Sequence, residues 1–254
     1  MVRNALLLLL LLVLLAGCGG QQVRRDPTQP IVPAKKPVSQ YVHDDVDYSV
    51  EAYDPWERFN RGMYIFNYYF DKYVFLPVVS VYEWVLPDYV EDRISGIFKN
   101  FAELRNLFNN LLQLKIQRAV DTTGRLVINT TVGLGGMYDL ATDWGLKERR
   151  EDFGQTLGFY GLGAGPYLVL PIFGPSSLRD AGGLAVDSFL RSAELDWALD
   201  DVDHKSKVRT GIDLTEAVDT RHRIPFRYYQ SGSPFEYEFL RKLYLEKRKM
   251  DVAK

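Results

Sequence analysis

The stretch PDYVEDRISGIFKNFAELRNLFNNLLQ, from Pro87 to Gln113, decides the fold. Phe101, Leu104, Phe108, Leu111 and Leu112 fall on one stripe, and Glu103, Asn106, Asn110 and Gln113 fall on another. That spacing is the 3.6-residue period of a helix, not the alternation of a strand. Ala119 to Val132 repeats it: Val120, Gly124, Val127, Ile128 and Thr131 line one face, while Asp121, Arg125 and Asn129 line the other. Such two-faced helices suit either a soluble core or a membrane surface, and the periodicity does not choose between them.

Outward from these helices the pattern stays helical. Asp54-Pro55 reads as an N-cap followed by proline in the first turn. The helix it opens, to about Val74, is crowded with rings: Trp56, Phe59, Tyr64, Phe66, Tyr68, Tyr69, Phe70 and Tyr73. Rings most of the way round predict a helix buried on several sides. Gly133-Leu134-Gly135-Gly136 ends the Ala119–Val132 helix. Further helices are expected at Asp152–Gly161, Leu178–Leu190, Lys205–Arg223 and Pro234–Lys249, with a Gly/Pro-rich loop over Gly163–Ser177. Strand signals are few, and no run of alternating ten-residue segments suggests an outer-membrane barrel. The apolar stretch Val74–Leu86 is interrupted by Pro77 and Glu83, so no spanning helix is expected after the N-terminus. The fold class is therefore all-α.

The N-terminus speaks to compartment. Arg3 precedes an apolar run from Ala5 to Ala16, which ends in Leu15-Ala16-Gly17-Cys18. A basic start, a short apolar stretch and small residues before a cleavage point make a secretory signal. LAGC matches the lipobox, in which the cysteine is acylated. Cys18 is the chain's single cysteine and cannot pair within it, so it is the expected lipid anchor, and Gly19 after it leans towards the outer membrane. The expected layout is a signal peptide over 1–17, a lipidated tether over 18–52, a helical domain over 53–249 and a tail over 250–254. The tether holds four prolines and the acidic residues Asp44, Asp45 and Asp47, a composition that buries too little apolar surface to fold alone. With 31 basic against 33 acidic residues, no basic face for nucleic acid is indicated.

Catalytic patterns are missing. The three histidines, His43, His204 and His222, show no metal-ligand spacing. There is no G-x-S-x-G elbow around Ser176, and Gly161, Gly163 and Gly165 read as a turn rather than a phosphate cradle. Arg179, Asp180 and Asp187 on one short helix suit a salt-bridged network. No catalytic residue, metal or cofactor is expected.

Several motifs, in order, resemble the MlaA (VacJ) lipoprotein family. DPWERFNRGMYIFN, Asp54 to Asn67, resembles the family's opening, and Arg125-Leu-Val-Ile-Asn129-Thr130 runs into Gly133-Leu-Gly-Gly136-Met-Tyr-Asp139. Asp152-Phe-Gly154-Gln-Thr-Leu-Gly158, Gly165-Pro166-Tyr167 to Pro171, Gly174-Pro-Ser176, Arg179-Asp180, Asp219-Thr-Arg221 and Ser233-Pro-Phe235 continue the match. The resemblance covers about Tyr53 to Arg248. It implies a ring of amphipathic helices lying in the membrane plane, in the inner leaflet of the outer membrane, around a central channel. It also implies removal of mislocalised phospholipid from the outer leaflet, hand-over to a periplasmic carrier (MlaC-like), and a trimeric porin as companion. On that reading Gly133, Leu134, Gly135, Gly136, Met137 and Tyr138 are channel or gate positions, their glycines leaving width for lipid tails. Asp54, Pro55, Phe59, Asn60, Arg125, Asn129, Asp139, Asp152, Gly154, Gly158, Gly165, Pro166, Arg179 and Asp180 are structural motif positions, the charged ones expected in buried pairs rather than on headgroups. Two other readings stay open. A structural lipoprotein docking porins without moving lipid would carry no phospholipid when purified, and a phospholipase would need an activated nucleophile.

Overall fold

The computed structural model describes residues 52–254. The signal peptide, Cys18 and the tether lie outside the described residues, save Ala52. Nine helices and one small hairpin make up the described part. Helix α1 (Glu57–Phe70) passes through a π-turn (Asp71–Phe75) into α2 (Leu76–Val85). Pro77 lacks the N–H that a regular helix would send back to Tyr73, and the backbone widens into π geometry in the turn before it. Helices α3 (Asp88–Leu112) and α4 (Ile116–Thr131) then pack side by side. After them come a one-turn α5 (Leu140–Asp143), α6 (Phe153–Phe159), the hairpin, α7 (Leu178–Ala198), α8 (Lys205–His222) and α9 (Glu236–Ala253). None of the described helices is long and apolar enough to cross a membrane.

Three helices, α5, α6 and α7, are anchored by local caps. Asp139 accepts from the Thr142 amide at 3.2 Å, Asp152 from Gln155 at 2.8 Å and Ser177 from Asp180 at 3.2 Å, each satisfying a helix-start donor. Asp54 does not cap α1. That helix begins after Trp56 with no side-chain cap, and the Asp54 carboxylate turns inward instead. The predicted loop over Gly163–Ser177 contains a hairpin, β1 (Tyr167–Leu170) paired antiparallel with β2 (Gly174–Ser177). Four-residue strands are too short for an alternation signal to stand out. Helix α7 runs eight residues beyond the predicted Leu190. Helix α9 continues through the residues set aside as a tail, with Asp251 buried there.

The expectation that α1 is buried on several sides is corrected. Its buried residues are Asn60, Tyr64 and Asn67, whereas Trp56, Phe59, Phe66 and Tyr69 are exposed. Tyr64 instead joins Tyr167, Val169 and Tyr237 in a small apolar cluster.

Candidate functional site

The polar faces of the helices turn inward. The buried residues of α3 are Glu91, Ser95, Asn100, Glu103, Asn106, Asn109 and Asn110, with no apolar residue among them. On α4 they are Ala119, Thr122, Arg125 and Asn129. Among the described residues, twenty-seven buried side chains are polar or charged and nine are hydrophobic, while forty large hydrophobics are exposed. A water-soluble domain shows the opposite bias in its interior. All four tryptophans of the chain, Trp56, Trp84, Trp144 and Trp197, are exposed, Trp84 and Trp197 by about four-fifths.

Burying so many polar groups is costly unless each is paired. Arg125 is one hub of that pairing. Its Nε donates to Glu103 at 2.5 Å, Nη1 to Thr142 Oγ1 at 2.8 Å and to the Leu146 carbonyl at 2.5 Å, and Nη2 to both Asp139 oxygens at 3.2 Å. Asn129 donates to the same Asp139 at 2.9 Å and accepts from the Ala141 amide at 3.0 Å. Burial pushes the Asp139 carboxyl upward, but hydrogen bonds from Thr142 and Asn129 and the Arg125 charge outweigh it and hold it down at about 2. Helix α4 is thus riveted to α3 and α5 by one guanidinium.

A second hub lies at α6, α7 and α9. Arg248 donates to Asp152 at 2.7 and 2.8 Å and to Asp180 at 2.9 and 3.0 Å. Arg179 and the Tyr244 hydroxyl add bonds to Asp180 at 3.0 and 2.8 Å. Burial of Asp152 and Asp180 works against ionisation, yet Arg248 keeps both carboxyls below their ordinary range. Gly154 and Gly158 leave room here: a Cβ on Gly154 would meet Asp180 Oδ1 at 2.6 Å, and one on Gly158 would meet Arg179 Nη1 at 2.8 Å. Between the hubs, Gln113 donates to Glu151 and Thr156, Thr156 to Asn109, and Asn109 to Asp187. Asp187, shielded by burial that its bonds to Phe153 and Asn109 do not offset, sits above its ordinary carboxyl range.

The signature residues of α1 hold the hairpin. Asn60 donates to the Tyr167 carbonyl at 3.0 Å and accepts from the Val169 amide at 2.8 Å. Seven residues on, Asn67 donates to the Leu170 carbonyl at 2.9 Å and accepts from the Ile172 amide at 2.7 Å. Two side-chain amides, two helical turns apart, thus occupy backbone groups of β1 and the turn after it. Asp54 accepts from Asn60 at 2.8 Å, from Arg241 at 3.1 Å and from the Tyr237 hydroxyl. Pro55 and Phe59 are exposed and take no part in this bonding. Gly165 (φ +69°) and Pro166 enter the hairpin, the Pro166 carbonyl accepting from Leu178 at 3.0 Å.

The turn after α4 separates the six residues offered as a gate. Leu134, Gly135, Met137 and Tyr138 are exposed, whereas Gly133 and Gly136 are buried. Gly136 has φ +97° and rests on α3: a Cβ there would crowd Asn100, and one on Gly96 would collide with the Gly136 carbonyl. Gly133 is likewise hemmed in by Asn129 and Tyr138 backbone. Both glycines thus sit where an added Cβ would find no room. Gly135 alone has open space around its Cα, with φ +74°. The sequence reading missed Glu103 as Arg125's partner, Arg248 as the second hub, and the Asp71–Arg221 pair. The helical polar stripe of α3 was the only signal for the first.

A family model described as MlaA lipoprotein matches residues 52–251. The Escherichia coli (strain K12) protein named intermembrane phospholipid transport system lipoprotein MlaA is 37% identical over 140 residues, 54% of this chain and 56% of the relative. An uncharacterised protein of Rickettsia prowazekii is 40% identical over 131 residues, 52% of each chain. The chain thus aligns over about half the length of these curated relatives. A chain solved in work described as "Structural basis for maintenance of bacterial outer membrane lipid asymmetry" superposes with a TM-score of 0.60 at 28% identity, over 79% of this chain and 100% of the other.

Proposed function

Given that the chain belongs to the MlaA lipoprotein family, we propose that it is an outer-membrane lipoprotein, anchored through Cys18 on the periplasmic face, which takes mislocalised phospholipid from the outer leaflet and passes it to a periplasmic carrier. The observation that carries this reading is the inverted distribution of polarity. Apolar exterior faces on α1 to α4 match acyl chains, and exposed tryptophans suit the headgroup boundary. The bonded polar interior holds the helices together without an apolar core, which frees their apolar faces for lipid. The helices lie in the membrane plane around a lipid path, and Gly135 with Leu134, Met137 and Tyr138 borders its entrance. Movement down a free-energy gradient needs no cofactor and no covalent step. A trimeric porin is the natural neighbour for the exterior face.

Two measurements test it. Brominated phosphatidylcholine in proteoliposomes should quench most of the tryptophan emission; emission as unquenched as that of a protein in buffer defeats the membrane seating. Deleting the gene should raise outer-leaflet phospholipid and detergent sensitivity, and Cys18→Ala should reproduce the defect. Intact asymmetry in the deletion strain defeats the transport reading. A Gly135→Trp protein that folds normally and still clears phospholipid removes the gate assignment.

A further inference from the structure

Arg93 differs from the arginines that hold the interior together. Arg125, Arg179, Arg221, Arg241 and Arg248 each face a carboxylate, but no carboxylate among the described residues lies within ion-pair distance of Arg93. Its guanidinium is held between two tyrosine rings instead, 4.7 Å from the Tyr89 centroid and 4.3 Å from that of Tyr138. The two phenols close the clamp with an O···O distance of 2.6 Å. That bond raises the Tyr89 phenol. Nη1 donates to the Met137 carbonyl at 2.6 Å and Nε reaches the Tyr89 carbonyl at 3.4 Å. Nη2 keeps its N–H groups without a protein acceptor among the described residues.

The surroundings favour an anion from outside. Neighbouring carboxylates are engaged elsewhere: Asp92 pairs with Arg223 at 2.9 Å, and Asp139 is held by Arg125, Asn129 and Thr142. Exposed apolar side chains stand on the same turn, Val132 and Leu134. A planar guanidinium stacked on aromatic faces is pre-organised, so its edge binds an oxyanion in two-pronged fashion with little further ordering. A cation, an aromatic collar and apolar side chains together match a phosphate ester that carries acyl chains.

We propose that Arg93, clamped by Tyr89 and Tyr138 beside the Gly133–Tyr138 turn, binds the phosphodiester of a phospholipid headgroup. This rests on the transport reading and adds to it a headgroup station on the exterior side of the turn. Full-length lipidated protein in dodecylmaltoside, titrated with palmitoyl-oleoyl phosphatidylglycerol and followed by native mass spectrometry, tests it. Arg93→Gln should weaken binding about tenfold, the loss expected for one charge-assisted hydrogen-bonded contact. Arg93→Lys should recover part of it, because the charge remains without the planar fork. Tyr138→Phe, which keeps the ring and removes the clamp, should weaken binding less than Arg93→Gln. Circular dichroism matching wild type confirms folding of each variant. Wild-type affinity in folded Arg93→Gln overturns the site, as does inorganic phosphate binding that the lipid fails to displace. Wild-type protein that takes up no phospholipid at all would instead defeat the transport reading.

Discussion

Replacing Arg125 with methionine tests the claim that paired polar groups, not apolar packing, hold α3, α4 and α5 together. Arg125 and Glu103 are each about 2% exposed. Removing the cation strands the Glu103 carboxylate in the interior and takes donors from Asp139, Thr142 and the Leu146 carbonyl. Breaking a buried pair on one side costs about 3–5 kcal/mol, a large share of the roughly 5–15 kcal/mol that stabilises a typical domain. Arg125→Met/Glu103→Leu removes both charges, and the isolated carboxylate disappears; such paired apolar replacements are often close to neutral. Here Asn106 loses its acceptor on Glu103 and Asp139 still loses Arg125, so the double variant should recover about 2 kcal/mol of the single-variant loss, not all of it. The assay is chemical unfolding in a fixed detergent, followed by circular dichroism, of wild type, both single variants and the pair. A single variant within about 1 kcal/mol of wild type, or a double variant weaker than Arg125→Met, refutes the assignment of Arg125 as a rivet.

Other expectations follow from the same geometry. Asp139 sits at about 2 in the folded protein against 3.8 for the free group. Its stabilising contribution is therefore full above pH 4 and fades as pH falls from 4 towards 2; because the group is over a third exposed, the contribution is discounted for solvent screening to about 1 kcal/mol. Asp139→Asn should flatten that part of the stability–pH curve, and an unchanged acid limb would contradict it. Asn60→Ala removes the partner of two hairpin backbone groups and should speed amide exchange at Val169, at a cost of about 2–3 kcal/mol; unchanged Val169 protection would disprove the bond's role. Gly136→Ala should destabilise well beyond Gly135→Ala, since the first adds a collision with Asn100 to the strain of positive φ while the second carries the strain alone, about 1 kcal/mol. Equal melting temperatures for the two would refute the close approach to α3.

Helix content was legible because periodicity survives whichever way a helix faces. The stripe of Glu103, Asn106, Asn110 and Gln113 read as a face on its own spacing, and the structure shows it as an interior face. Which stripe turns inward could not be read, because a 3.6-residue period is the same for a soluble core and for its inverse. The same ambiguity explains Phe59, expected at a structural position and found exposed. The charged motif residues Arg125, Asp139, Asp152 and Asp180 stood out as unusual; their partners did not, because Glu103 and Arg248 come from elements 22 and 96 residues away. The glycines at 133 and 136 read as freedom for a ligand; an added Cβ would meet the turn's own backbone at Gly133 and, at Gly136, Asn100 and Gly96 of α3, contacts that spacing does not display. The hairpin was hidden because some of its backbone groups bond to asparagine side chains on a helix far away in sequence.

A body built with its grease outward reverses the usual guide to mutational tolerance. Positions such as Val78, Val81 and Phe189, surface sites by exposure, should accept leucine or isoleucine freely and reject lysine. Positions such as Asn109 and Asn110, core sites by burial, should reject every aliphatic residue that a conventional core welcomes. A library screened for survival would therefore return a hydrophobicity profile inverted along each helix, and stabilising designs drawn from soluble proteins would fail here for that reason.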